Sequence, residues 1–123
     1  MQKLPQESFE PCPIASAVSV IFGRWTAEVL WVLIHDGTLR FTALRLRVPT
    51  VTAKVLTQRL RELERDGLVL RTYYPESPPR VEYSATPMAA SLVPVFTALG
   101  RWSNQHTEEV SRSRAAYTGT LPA

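Results

Sequence analysis

Four polar side chains recur at intervals of three or four residues within one segment of the chain. They are Lys54, Gln58, Arg61 and Arg65. On a helix this spacing places all four on one face, with Thr57 beside them. Glutamine pairs with adenine, arginine and lysine bond guanine or phosphate, and threonine bonds a base or touches a thymine methyl. These residue types therefore predict recognition of DNA through hydrogen bonds.

The opposite face of the same segment is apolar. It carries Leu56, Leu60 and Leu63. Thr52 is a suitable N-cap and a candidate DNA contact, and we expect Ala53, near that end, to meet a thymine methyl. One face would then pack on a core while the other enters the major groove, which accepts a single helix. The alternative is an ordinary surface helix whose basic residues pair with acids such as Glu62 and Glu64.

Positive charge is concentrated in the middle of the chain. Residues 40–80 carry nine basic and four acidic side chains, whereas the rest of the chain carries five basic and seven acidic ones. On a protein of net charge +3, such a segment indicates a footprint for a polyanion or a solvated charged face. Arg40 and Arg80 are further candidate DNA contacts. Arg80 would reach a phosphate or the minor groove, or else pair with Glu76 or Glu82.

Two helices are predicted before this segment. The first begins near Pro13, a residue that suits a first helical turn, and ends at Gly23. The second is capped by Thr26 and stops at Gly37. Because the second helix is apolar all round over Val29–Ile34, we expect it to be buried on every side at the centre of the core.

The predicted order after these helices is short strand, brief helix, break, long helix and two antiparallel strands. The ranges are Leu39–Phe41, Thr42–Arg47, Val48–Thr50, Thr52–Asp66, Leu68–Tyr73 and Val81–Ser84, with Tyr74–Arg80 as the hairpin loop. This order is typical of a winged helix-turn-helix with a two-stranded wing. The predicted fold class is therefore α+β and mainly helical.

A final helix is predicted to begin at Thr86-Pro87 and to be kinked at Pro94. Its apolar stripe includes Phe96, Leu99 and Trp102. Part of the stripe would cover a second subunit, since a dimer suits DNA half-sites about one turn (roughly 34 Å) apart. The alternative is that the whole stripe covers the core of one monomer.

The single cysteine, Cys12, lies just before Pro13 at the predicted start of the first helix. Exposed N–H groups and the helix dipole favour a reactive thiolate at such a position. With one cysteine per chain, the available chemistry is alkylation, a mixed disulfide or a disulfide between subunits. The alternative is a small buried side chain with no sensing role.

Catalytic, metal-binding and membrane functions find little support. His35 and His106 have no ligand-like neighbours at metal-binding spacing, and no nucleophile elbow or phosphate-binding glycine loop occurs. We expect no enzyme and no cofactor. No apolar run or signal pattern suits a membrane or secretion, so we expect a cytoplasmic protein. One domain is predicted at residues 12–110, with a flexible arm at 1–11 and a flexible tail at 111–123.

Several motifs together resemble the HxlR-type regulators over residues 12–104. They are Cys12-Pro13, Gly23-Arg24-Trp25, Arg40-Phe41-Thr42, Leu56 to Leu63, Asp66-Gly67-Leu68, Tyr74-Pro75-Glu76 and Pro78 to Tyr83. The resemblance implies a homodimer that binds palindromic promoter DNA through two recognition helices. It also implies a dimer interface formed by the first and last helices. The candidate interface residues are Ile14, Val18, Phe96, Leu99 and Trp102.

The resemblance also bears on Cys12 and on the operator. Some members of the family sense oxidants or electrophiles with a cysteine at the position of Cys12. Ala43, Thr50 and Ala53 depart from the usual residues, so the operator of a relative does not transfer to this chain. Repression is the expected direction of regulation, because a small domain has no activating module.

Two other functions are consistent with a winged helix. A module that binds protein would present apolar anchors on the exposed face of its recognition helix, whereas this face is polar and basic. A receptor for an unidentified small-molecule effector would add a pocket at the dimer interface, and plain core packing of the same aromatic residues is the alternative. Those residues are Trp25, Trp31, Phe96 and Trp102.

Overall fold

The computed structural model describes Cys12 and residues 14–119. The predictions for the arm at 1–11, for Pro13 and for residues 120–123 lie outside the described residues. The chain forms two compact units, the first ending at Ala90 and the second beginning at Ser91.

The first unit contains five helices and three strands among its described residues. The helices are α1 (Ala15–Ile21), α2 (Thr26–Asp36), α3 (Phe41–Arg47), α4 (Ala53–Arg65) and α5 (Pro87–Ala90), and the strands are β1 (Leu39–Arg40), β2 (Val69–Tyr74) and β3 (Arg80–Ala85). The strands form one antiparallel sheet in the order β1-β3-β2. The helix-turn-helix, the hairpin and the mainly helical α+β class are confirmed.

The core of this unit is built around α2. Val29, Leu30 and Leu33 are almost fully buried, and α2 contacts α3, α4, α5 and β3. One side of α2 nevertheless reaches solvent, because Trp31 is 40% exposed. The prediction that α2 is buried on every side is therefore wrong: its neighbours cover only part of its circumference.

The structure differs from the prediction at the N-terminus of α2 and agrees with it at the C-terminus. Trp25, with a left-handed φ of 71°, is the N-cap, and the predicted cap Thr26 is the first helical residue and is buried. At the other end Gly37 has a φ of 86° and donates its N–H to the carbonyl of Leu33 at 3.1 Å. A left-handed residue after a helix favours glycine, so the predicted stop is confirmed.

α4 begins and ends as the sequence predicts. The Thr52 hydroxyl oxygen accepts a hydrogen bond from the Val55 N–H at 3.2 Å, which is an N-cap. Gly67, with a φ of 80°, follows the C-terminal Asp66 and turns the chain into β2. Leu56, Leu60 and Leu63 are buried, so the apolar face faces the core.

The final helix is two helices rather than one kinked helix. α5 ends at Ala90, and the second unit contains α6 (Val93–Ala116), with Pro94 in its first turn. Proline lacks an N–H and its ring clashes with the carbonyl four residues earlier, so the helix breaks before it. α6 continues to Ala116, so the tail predicted from residue 111 begins too early. No residue of α6 is buried.

Candidate nucleic-acid interface

α4 presents the predicted polar face to solvent. Lys54, Gln58 and Arg61 are exposed, while Ala53 and Thr57 are half-buried. The Thr57 hydroxyl donates to the Ala53 carbonyl oxygen at 2.8 Å, which leaves the hydroxyl oxygen free to accept. The first half of α4 therefore combines donors and acceptors, as recognition of base edges requires.

The turn and one arginine hold α4 in place. Val48 and Val51 are buried, and the Val51 N–H donates to the Val48 carbonyl at 3.1 Å. Arg59 donates from Nε to the carbonyl of Arg24 at 2.7 Å and pairs with Glu62 at 2.9 Å. These contacts position the exposed face on a rigid element, which precise recognition needs.

A shallow groove of about 580 Å³ runs between α3 and α4. It is lined by Phe41, Ala53, Lys54, Thr57, Gln58, Arg61 and Glu62. The groove thus brings five of the predicted DNA-binding residues together. Phe41 was missed as a lining residue, because as part of a predicted strand it gave no sign of facing α4.

Ion pairing divides the nine basic residues of the middle segment into two groups. Five of them pair with acids: Arg47, Arg59, Arg65, Arg71 and Arg80. The other four have no ion pair with any described residue: Arg40, Arg45, Lys54 and Arg61. These four lie on β1, on α3 and in the first nine residues of α4. Within residues 40–80, the charge left uncompensated is therefore concentrated around the helix-turn-helix.

Arg80 is held on the wing by neighbouring side chains. Its guanidinium lies 3.3 Å from both Glu76 and Glu82 and 4.1 Å above the Tyr74 ring. Its Nε is buried and makes no well-aligned hydrogen bond with a described residue. In the chain without DNA, Arg80 therefore pairs with both acids. A contact between Arg80 and DNA stays a prediction.

Arg65 and Arg40 are less well placed than Lys54 for a contact with DNA. Arg65 lies about 16 Å further along α4, at a rise of about 1.5 Å per residue, and bonds the Asp66 carboxylate at 2.9 and 3.1 Å. Those bonds hold the pKa of Asp66 below its usual value. Arg40 is the N-cap of α3 and faces Glu82 in the sheet register. Their contacts with DNA also stay predictions.

The predicted sensor and the predicted interface residues lie at the surface. Cys12 is a free, exposed thiol in the single chain, and its role as a sensor stays a prediction. Ile14, Val18, Leu99 and Trp102 are exposed apolar side chains, and Phe96 is half-buried.

The aromatic residues considered for an effector pocket are placed in three settings. Trp31 stacks against His35 with 6.0 Å between ring centroids, and Trp102 stacks against His106 at 4.6 Å. Trp25 lies in a surface pocket beside Arg24, whose guanidinium is 5.4 Å from the indole. An effector site therefore stays an untested alternative.

Neither a metal centre nor a membrane span stands out in the part of the chain that the structure describes. No group of three potential ligands there is arranged to hold a metal ion. No single helix there is long and apolar enough to cross a membrane, and only α1 and α2 together, bent by 70°, meet the criteria of length and composition. The apolar side chains of α2 pack mainly in the core of the first unit.

The fold and this polar helix face define a winged helix-turn-helix DNA-binding protein. The chain belongs to the HxlR family: the family model, described as HxlR-like helix-turn-helix, matches residues 20–111. The family comprises transcription regulators, so the predictions of DNA-binding regulation and of no enzymatic activity are confirmed.

Individual relatives agree with this assignment. The chain is 38% identical over 110 residues to the HTH-type transcriptional regulator YdeP of Bacillus subtilis, covering 89% of this chain and 85% of YdeP. It is 44% identical over 95 residues to an HTH-type regulator of Methanothermobacter thermautotrophicus, covering 77% and 72%. The solved structure of the redox regulator HypR in its reduced form superposes with a TM-score of 0.76 at 35% identity, covering 82% and 99%.

Proposed function

We propose that this protein is a sequence-specific repressor that binds palindromic operators as a homodimer in the cytoplasm. The observation that carries the proposal is the group of four unpaired cations around the helix-turn-helix. Unpaired surface cations attract the phosphate backbone, while base edges are read by directed hydrogen bonds. Both requirements meet on α3 and the first half of α4.

The first nine residues of α4 are the proposed reader of bases. The side chains of Gln58 and Arg61 suit paired hydrogen bonds to adenine and guanine, and Lys54 suits guanine or phosphate. Arg40 and Arg45 are proposed to bond phosphates beside the major groove. Arg65 is proposed to act only on phosphate, since its distance from Lys54 exceeds the major-groove width of about 12 Å.

α1 and α6 are the proposed dimerisation elements. Val95, Leu99 and Trp102 are 44%, 46% and 58% exposed on α6, and Val18 on α1 and Ile14 at its N-cap are also exposed. Exposed apolar side chains concentrated on two helices favour association with another surface. A second copy is the proposed partner, because a two-fold dimer matches a palindromic operator.

Selection from a random duplex pool tests the DNA-binding proposal. We expect an enriched palindrome whose affinity falls steeply as salt rises. Gln58→Ala and Arg61→Ala should relax the preference at particular base pairs by about 1–3 kcal/mol each, whereas Arg112→Ala on α6 is the control and should not. A chain that enriches no sequence and ignores duplex DNA at low salt contradicts the proposal.

The mass in solution tests the proposed dimer. Sedimentation equilibrium at micromolar concentration should give twice the chain mass of 13.8 kDa. A single-chain mass at micromolar concentration contradicts the dimer. Placement of the selected operator over a promoter, followed by a transcription assay, then separates repression from activation.

A second candidate function, sensing of oxidants by Cys12, is favoured by the exposure of the thiol. HypR, a structural relative, is described as a redox regulator. With one cysteine per chain, two Cys12 thiols of a dimer would lose two protons and two electrons to diamide and form one intersubunit disulfide. Diamide should then weaken operator binding by the wild type and leave Cys12→Ser unaffected. An equal loss in both proteins contradicts sensing.

A further inference from the structure

A second cavity lies on the other side of α4, between this helix and the strands of the wing. Its volume is about 270 Å³, and its walls are Thr57, Leu60, Arg61, Glu64, Arg71 and Tyr83. Pockets for drug-sized ligands begin at about 300 Å³. The cavity is therefore suited to one small group rather than to a large ligand.

The register of the sheet explains why these side chains meet. Arg71 on β2 and Tyr83 on β3 are directly opposite each other, so both point to the same face. On α4, Thr57, Arg61 and Glu64 are spaced by four and three residues, which places them on one helical face. The wing and the recognition helix thus contribute to the same walls.

The cavity contains more donors than acceptors. Arg71 Nε lies 3.7 Å from Glu64 Oε1 with both side chains nearly half exposed, which is a weak ion pair in water. Arg61 makes no hydrogen bond or ion pair with any described residue. Burial is the largest cause that raises the pKa of Tyr83, so the phenol stays protonated at neutral pH and remains a donor.

We propose that this cavity is a binding site for one oxyanion, which accepts hydrogen bonds from Arg61, Arg71 and Tyr83. Arginine forms its strongest hydrogen bonds with phosphate and carboxylate oxygens. The oxyanion is either a phosphodiester of the DNA backbone between the major-groove helix and the wing, or a small free oxyanion. The first source rests on the proposed function, and the second does not.

Arg61 couples the cavity to the DNA-reading face. This side chain lines both the cavity and the groove that contains Lys54 and Gln58. An oxyanion in the cavity holds the Arg61 guanidinium toward the wing. A backbone phosphate there fixes the register of α4 on the duplex, whereas a free oxyanion competes with DNA for the same guanidinium.

The first arm of the test uses the full chain without DNA and inorganic phosphate as the probe. Calorimetric titration at constant ionic strength, with chloride as the compensating anion, should detect phosphate binding. Arg71→Gln should weaken it at least about tenfold, and Tyr83→Phe should weaken it less, since one neutral donor is lost. Glu64→Gln should strengthen it by removing a repelling carboxylate, and Arg112→Gln on α6 is the charge-matched control without effect.

The second arm measures how the operator affinity depends on salt. The slope of log affinity against log salt should fall by about 0.9 when one phosphate contact is lost. Arg71→Gln should produce this change uniformly across operator sequences, and Arg112→Gln should not. Arg71→Lys retains the charge and should recover most of the slope, which separates lost contact from a misfolded wing. The melting temperature of each variant checks folding.

The outcomes are distinct for each source. A change of slope without binding of free phosphate supports the backbone phosphate. Binding of free phosphate that depends on Arg71, with an unchanged slope, supports the free oxyanion. An absence of both overturns the site. A wild-type chain that does not bind DNA contradicts the proposed function, and the phosphate titration alone then decides the site.

Discussion

α2 and α6 are both helices with many apolar residues, yet they differ in how many of their side chains are buried. α2 has 11 residues and buries Thr26, Val29, Leu30, Val32 and Leu33, whereas α6 has 24 residues and buries none. Burial of apolar surface is the main source of helix stability in proteins. The difference indicates that α2 stabilises its unit from within, whereas α6 buries no side chain and is the helix on which the proposed dimer depends.

Truncation of the centre of α2 should give the largest effect on stability. Leu30→Ala removes a side chain that is fully buried, so the free energy of unfolding should fall by about 2–5 kcal/mol. Chemical denaturation followed by circular dichroism measures the change. Leu99→Ala on α6 is the matched control and should cost far less at concentrations below dimer formation. Equal losses for both variants would remove the contrast between the helices.

Truncation of the exposed face of α6 should act on association instead. Trp102→Ala removes a large side chain that is 58% exposed. Loss of a central aromatic contact costs more than about 1 kcal/mol, which corresponds to a dimer dissociation constant at least about fivefold higher. Sedimentation at several concentrations measures this constant, and Arg101→Ala on the same helix is the control. An unchanged constant would point to a different face of α6 or to a monomer.

Removal of the N-cap of α4 should have a smaller effect on stability. Thr52→Ala removes the hydroxyl that accepts from the Val55 N–H, and loss of such a cap costs about 1 kcal/mol. Thr50→Ala is the control, since Thr50 is an exposed turn residue. Thermal unfolding of both variants gives the comparison. Because the cap lies at the DNA-reading end, Thr52→Ala should also weaken operator binding, and a similar change in Thr50→Ala would argue against capping as the cause.

The smallest expected effect is on the pH dependence of stability, through Asp36 at the C-terminal end of α2. The hydrogen bond with His35, and the charges of Arg47 and His35, hold the pKa of Asp36 below its usual value of 3.8, although desolvation opposes them. A lowered pKa adds stability that is present above about pH 3.8 and is lost as the pH falls through the folded pKa. The melting temperature of the wild type should thus fall more steeply below pH 4 than that of Asp36→Asn. Glu108→Gln on α6 is the control and should not change how the melting temperature depends on pH. An equally steep fall in Asp36→Asn would show that the interactions of Asp36 contribute nothing to the acid dependence.

The wing shows where the sequence alone was insufficient. Arg80 was expected either to bind DNA or to pair with Glu76 or Glu82, and the fold brings it to both acids and to the Tyr74 ring. The oxyanion cavity was not predicted at all, because Arg71 and Tyr83 are 12 positions apart and meet α4 only through the β2–β3 register. Contacts between elements depend on register and packing, which local patterns do not contain.

Local sequence patterns are sufficient to predict the order of the elements, the two faces of α4 and the membership in the HxlR family. These features depend on short-range periodicity and on caps such as Thr52 and Gly37, which act within one or two helical turns. Packing between elements fixes the longer-range pairs of the arginines, and within residues 40–80 it leaves Arg40, Arg45, Lys54 and Arg61 without an ion pair to any described residue. The ion pair of Arg47 with Asp36 and the hydrogen bond from Arg59 to the carbonyl of Arg24 join residues distant in sequence. Their formation depends on how the helices pack.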